Sequence, residues 1–225
     1  MAEQQRIAIL GGTGNLGYGM AIRLAKAGQT VVIGSRDAGR ADDAAQQVKQ
    51  VITAGAVTGA SNEDAVVGAD FVLIAVPFGS QATTLKAVHG QLAAGQIVID
   101  ACVPLATAAG GKPTQLLGVW QGSSAQQAKS LVPEGVHVVS GLHTLSAADL
   151  AEPDLSMDQD TLICGDRKAD KEAVTTLLSA IEGLRVIDAG RLEMSRMAES
   201  LTPLLIGINI RYKVHSGFRV TGLEA

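Results

Sequence analysis

A heptapeptide near the start, Gly11-Gly12-Thr13-Gly14-Asn15-Leu16-Gly17, has the composition and spacing to hold phosphate. It contains Gly12-x-Gly14-x-x-Gly17, lies just after the strand-like run 6–10, and opens a segment of helical periodicity. That context gives the spacing a mechanism. One glycine allows a tight turn, the next lets a pyrophosphate approach the backbone, and the third lets helix pack on strand. The helix that begins there offers unpaired N–H groups and the positive end of its dipole. The glycines make room for a dinucleotide.

Which dinucleotide depends on the residues that end the second strand, about 20 positions further on. A bare ribose 2′-hydroxyl calls for Asp or Glu there. This chain carries Ser35 and Arg36 instead, with Arg40 one helical turn later. Those residues suit a 2′-phosphate. Charge-assisted hydrogen bonds contribute roughly 1.5–3 kcal/mol each, so two favour NADP over NAD by about a hundredfold to ten-thousandfold. Asp37 opposes this slightly, since it could reach the ribose or pair with Arg40.

Further along, Val76, Pro77 and Phe78 follow one apolar run, and Val103 lies in the segment 102–105 after the next. Loops at such strand ends line the ligand crevice of an open α/β sheet. Two polar clusters remain beyond them. One is 140–149, with His143, Thr144, Leu145 and Ser146; the other is 195–205, with Ser195, Arg196, Glu199, Ser200 and Thr202 ahead of Pro203. Proline inside a helix is expected to bend or break it there. Several other chemistries are excluded. Tyr18 and Tyr212 are followed four residues on by Ile22 and Ser216, not by the lysine that a Tyr-x-x-x-Lys dehydrogenase uses. No metal-ligating set is spaced for a site, so none is expected. Asp154, Asp158 and Asp160 read as a solvated acidic loop.

Five short runs rich in Val and Ile, 6–10, 30–34, 71–76, 97–102 and 136–141, are apolar on both faces, as strands inside a covered parallel sheet are. Helical stripes at 15–27 and 38–54 alternate with them. The expected fold is α/β: a Rossmann-type doubly wound parallel sheet over 1–145, with a small C-terminal α/β part over 146–225. In that second part, helices near 168–181 and from about 192 to 212 accompany strands that extend the sheet or form a cap.

Composition agrees. Of 225 residues, 47 % are hydrophobic and 18 % charged, which suits a globular chain, and the net charge of −4 offers no footprint for nucleic acid. Cys102 and Cys164 read as buried free thiols. There is no apolar stretch of membrane-spanning length and no N-terminal signal, so the expectation is a soluble, cytoplasmic protein.

Taken together, 11–17, Gly34-Ser35-Arg36, Val76-Pro77-Phe78, Gly141-Leu142-His143-Thr144, Cys164-Gly165-Asp166, 183–190 and 195–205 span nearly the whole chain. In this order and spacing they resemble the NADPH-dependent reductases of coenzyme F420, a deazaflavin, with the bacterial branch nearer than the archaeal. The resemblance implies an NADP-dependent oxidoreductase that moves a hydride directly and reversibly between NADP(H) and F420, commonly as a homodimer. By position it puts Gly12, Thr13, Gly14, Asn15 and Leu16 on the pyrophosphate, and Ser35, Arg36 and Arg40 on the 2′-phosphate. Val76 and Val103 would lie at the nicotinamide end. Leu145 and Ala147 would line the ring stack. His143, Arg196, Ser200 and Thr202 would face the deazaflavin, with His143 also a candidate for catalysis. The alternative is an NADPH-dependent FMN, FAD or ferric-chelate reductase of similar architecture.

Overall fold

The computed structural model describes residues 4–52 and 55–223. Its first half alternates strand and helix without interruption. β1 (Arg6–Leu10) leads to α1 (Asn15–Lys26), β2 (Thr30–Ser35) to α2 (Ala38–Val51), and β3 (Ala56–Ser61) to the short α3 (Asn62–Ala65). β4 (Phe71–Ile74), α4 (Phe78–Val88) and β5 (Ile97–Asp100) follow. A 3-10 turn at Ala106–Ala109 and a glycine-containing loop then lead to α5 (Ser124–Leu131) and β6 (His137–Ser140).

The second half holds α6 (Ala147–Ala151), β7 (Gln159–Gly165), α7 (Lys168–Leu178), β8 (Leu184–Asp188) and the long α8 (Ser195–Tyr212). All eight strands join one sheet in the order β3-β2-β1-β4-β5-β6-β7-β8. The six from β3 to β6 run parallel; β7 is antiparallel to β6, and β8 is parallel to β7. The C-terminal strands therefore extend the sheet and do not form a cap.

Alternation along the strands sorts the core into two layers. Ile7 and Ile9 of β1 face a cluster with Leu24 of α1, Val48 of α2 and Leu177 of α7. Ala8 and Leu10 face the opposite one, with Leu85 and Val88 of α4 and Ala125 of α5. Strands covered on both faces must be apolar throughout, which is why β1, β2, β4, β5 and β6 stand out in the sequence. The runs 71–76 and 97–102 outlast the ladder because Ala75, Val76, Ala101 and Cys102 stay apolar where they line the strand ends. β3 escapes such a reading. It is an edge strand, Ala-Val-Thr-Gly-Ala-Ser, of which only Val57 is buried. α2 ends at Val51, short of the expected 54, and positions 53 and 54 lie outside the described residues.

Two expectations are corrected. α8 runs unbroken through Pro203, and the turn just ahead of the proline is anchored by Glu199 and Thr202. Such tertiary bonds outweigh the roughly 3 kcal/mol that an interior proline costs. Asp160 is fully buried, not solvated, and both its oxygens meet Arg185. The acidic cluster misled because Asp160 is the second residue of β7, whereas Asp154 and Asp158 lie in the exposed connection before it. Both cysteines are buried and free.

Candidate functional site

The sheet order changes direction between β1 and β4, and the loops after β1, β2 and β4 open together at their carboxyl ends. This is the switch-point crevice in which open α/β sheets take ligands. A cavity of about 510 Å³ occupies it, lined among others by Thr13, Gly14, Ser35, Arg36, Arg40 and Val76.

The glycines divide their work by position. Gly11 makes the turn, with φ of +86° and its N–H on the Gly34 carbonyl, so the sequence motif as read omitted the residue that turns the chain. A side chain on Gly17 would stand 2.5 Å from the Gly11 carbonyl oxygen, so this glycine lets α1 pack on the turn. Gly12 is packed beneath Ile33, and Leu16 packs against the core. Around Gly14 the space is open: a Cβ there would have one neighbour, the Gly11 oxygen at 3.3 Å. Gly14 is also the N-cap of α1 and supplies no capping side chain, so the first N–H groups of the helix are left for a ligand. Asn15 extends the same crevice with Tyr18, Arg40 and Gln47.

At the far end, Asp37 caps α2, its Oδ1 accepting from the N–H groups of Gly39 and Arg40 at 2.9 and 3.3 Å. Arg36 and Arg40 form no ion pair among the described residues, so two unpaired cations face one cavity, with Asp37 the acid among its lining residues. Asn62, which sequence reasoning missed, lines this end too; it is 95 % buried and its Oδ1 has no partner. These features fit a 2′-phosphorylated dinucleotide.

The other candidates gather after β5 and β6. Val103 is half-buried beyond β5. The loop after β6 buries His143 and Leu145 and starts α6 at half-buried Ala147. Both ring nitrogens of His143 lack partners, and burial lowers its pKa to about 4, against a weak opposing pull from the Asp100 carbonyl, so the ring is neutral near pH 7. Leu145 sits within the core cluster and does not project from it.

Thr202 reaches this loop directly, donating its hydroxyl to the His143 carbonyl at 2.8 Å. Arg196 and Ser200, six and two residues before it on α8, face a separate groove shared with Pro104, Leu117, Val119 and Glu199. The Ser200 hydroxyl is turned back onto the Met197 carbonyl. The loop itself is sewn to α1 by Arg23, also missed in the sequence. Its guanidinium is 3 % exposed and bonds to the carbonyls of Asp149, Leu150, Glu152, Pro153 and Leu155. An arginine on an otherwise apolar helix face was the available signal.

A family model described as NADP oxidoreductase coenzyme F420-dependent matches residues 6–104. The chain is 41 % identical to the F420-dependent NADP reductase of Methanocaldococcus jannaschii, covering 97 % of this chain and 99 % of that one. It is 39 % identical to the protein of the same name from Methanothermobacter thermautotrophicus, over 97 % and 95 %. A crystal structure from Arthrobacter sp. FB24, described as an F420-dependent NADP-reductase, superposes with a TM-score of 0.82 at 29 % identity, over 96 % and 99 % of the two chains. With full-length relatives at this identity, the chain belongs to the coenzyme F420-dependent NADP oxidoreductase family.

Proposed function

We infer that the protein catalyses reversible hydride transfer between NADP(H) and coenzyme F420. The observation that carries this beyond family membership is the switch-point cavity, with its uncapped helix end and two unpaired arginines. The pyrophosphate would lie against Thr13, Gly14, Asn15 and Leu16, with Gly12 shaping the turn. Ser35, Arg36 and Arg40 would take the 2′-phosphate. Val76 and Val103 would border the nicotinamide, and His143, Arg196, Ser200 and Thr202 the deazaflavin.

When both co-substrates are bound, a hydride passes between nicotinamide C4 and deazaflavin C5, and reduction of the deazaflavin takes up one proton. The protein needs no nucleophile for this. Its task is to hold two flat rings in contact and keep water out. Buried Leu145 and half-buried Ala147 back the loop with small or apolar bulk. Neutral His143 can donate or accept one hydrogen bond without bringing a charge into the stack.

A homodimer is part of this reading. α8 leaves Leu204 59 % and Ile210 64 % exposed, with Tyr212 at its end and Val214 just past it also exposed, and a second copy of the chain would cover this apolar surface. No helix among the described residues is long and apolar enough to cross a membrane, and soluble co-substrates suit a cytoplasmic location. The relatives at 38–41 % identity are named for F420 and lend the flavin alternative no support, while a rat metalloreductase matches at 28 % identity over 36 % of its own length, which leaves the ferric-chelate alternative the weaker reading. The deciding assay follows the visible absorbance of oxidised F420 with NADPH, with NADH and FMN in parallel. Bleaching with NADPH, little with NADH and slow FMN reduction are expected; FMN reduction without bleaching of F420 would overturn the reading.

A further inference from the structure

Behind the crevice runs a buried polar chain for which the hydride transfer itself has no use. Asp100, the last residue of β5, is fully buried; its Oδ1 accepts from Gln81 Nε2 at 2.8 Å and its Oδ2 from the Ser124 hydroxyl at 2.9 Å. Ser124 opens α5. Its backbone N–H and that of Ala125 donate to Oε2 and Oε1 of Glu199 at 3.0 and 3.2 Å. Glu199 is 1 % exposed and belongs to α8, 75 residues away in sequence from Ser124.

The arrangement is more than a cap. Ser123 already caps α5 locally, through the Gln126 N–H, and the remaining N–H groups of a helix end are ordinarily left to water. Burying an acidic side chain to satisfy them is costly unless it fixes something else. What it fixes is α8. Glu199 lies three residues from Arg196, one from Ser200 and three from Thr202, so any slide or rotation at Glu199 carries all three with it. The other end of the chain, Asp100, lies three residues before Val103.

We propose that Glu199 is a positioning residue for the deazaflavin side of the site, holding α8 through Ser124 and Asp100 at a set distance from the strand end that borders the nicotinamide. The inference rests on assigning the deazaflavin to α8. Two other ties, the Ser140–Ser195 hydroxyl pair at 2.7 Å and Thr202 on the His143 carbonyl, keep α8 docked when Glu199 is removed. Loss of Glu199 therefore shifts the helix and does not release it.

The test uses the full chain carrying Glu199→Ala and, separately, Glu199→Gln, which keeps the volume and one acceptor. NADPH affinity is read by fluorescence titration, and F420 KM, kcat and the isotope effect with 4-deuterated NADPH by absorbance. The expected result is an F420 KM raised about tenfold or more and a changed isotope effect in Glu199→Ala, since small misplacements are costly to aligned reactants. NADPH affinity should stay within about twofold, with Glu199→Gln intermediate. Equal weakening of both co-substrates, or unchanged F420 kinetics, would overturn the proposal. If Glu199→Ala does not fold, Ser124→Ala keeps the backbone N–H on Glu199 but removes the hydroxyl bond to Asp100, the next link of the same chain, and must give the same selective rise. Arg196→Gln is the control for the underlying assignment: if it leaves F420 KM unchanged, the deazaflavin is not on α8. If it raises F420 KM while the Glu199 variants do not, only the positioning role falls.

Discussion

The hydroxyl of Thr202 on α8 donates to the backbone carbonyl of His143 at 2.8 Å, bridging 59 residues of sequence. Two candidate contacts for one ligand are thereby held together before any ligand arrives. Thr202→Val removes the donor at nearly constant volume. A neutral hydrogen bond of this kind contributes about 1 kcal/mol, so F420 affinity should fall roughly fivefold with NADPH affinity unchanged. Parallel titrations of the two co-substrates check this, and a loss shared by both would show that the bond serves the fold alone.

Arg36 and Arg40 face the same cavity without ion-pair partners, while Asp37 is engaged as the cap of α2. Replacing both arginines with glutamine should lower kcat/KM for NADPH by about a hundredfold or more, from two charge-assisted bonds. The value for NADH should hardly move. Steady-state kinetics with each dinucleotide reads the ratio; an equal fall for both would mean that the arginines touch a part the two share.

The crevice was legible from the sequence because its parts are local. The turn, the helix start and Ser35-Arg36 lie within one strand–helix–strand unit, where spacing alone dictates geometry. The deazaflavin side was readable only through family resemblance, since Arg196, Ser200 and Thr202 are polar residues on a helix that could as well be caps or surface. What could not be read were contacts that depend on the folded path. Glu199 reaches α5 and Arg23 reaches the loop at 149–155, separations of more than 70 residues that no periodicity encodes. Asn62 escaped for a related reason: it follows β3, an edge strand without the apolar pattern that marks the others.

Arg23 makes a separate claim on stability. Its guanidinium satisfies carbonyls of the segment that carries α6, and burial lowers its pKa against the pull of Glu182, Asp149 and other nearby acids. Arg23→Met would keep the apolar stem and strand those carbonyls. At 1–3 kcal/mol for a buried group left unpaired, the loss should be about 3 kcal/mol, or roughly a 10 °C fall in Tm. Thermal unfolding measures it, and limited proteolysis should find the 149–155 segment newly susceptible. An unchanged Tm would mean that water replaces the guanidinium.

The buried acids set how stability responds to pH. Burial, with repulsion from Asp100, raises the pKa of Glu199 to about 8, although the Ser124 and Ala125 N–H groups pull it down. Burial raises that of Asp100 to about 6 against the bonds from Gln81 and Ser124. The Cys102 thiol, pushed upward by the same burial and by Asp100, stays neutral beside them. An acid whose pKa is higher in the folded state holds its proton there after the unfolded chain has released it, so stability falls as pH rises between the two values. His143, with its pKa lowered to about 4, works in the opposite sense from there to about 6.5 and masks Asp100. Above pH 6.5 Glu199 is left as the main contributor, and wild-type stability should drop by about 2 kcal/mol between pH 6.5 and 8. In Glu199→Gln that slope should flatten, because the amide does not titrate. Urea unfolding at the two pH values decides it: a variant with the wild-type slope would place the titration on another group.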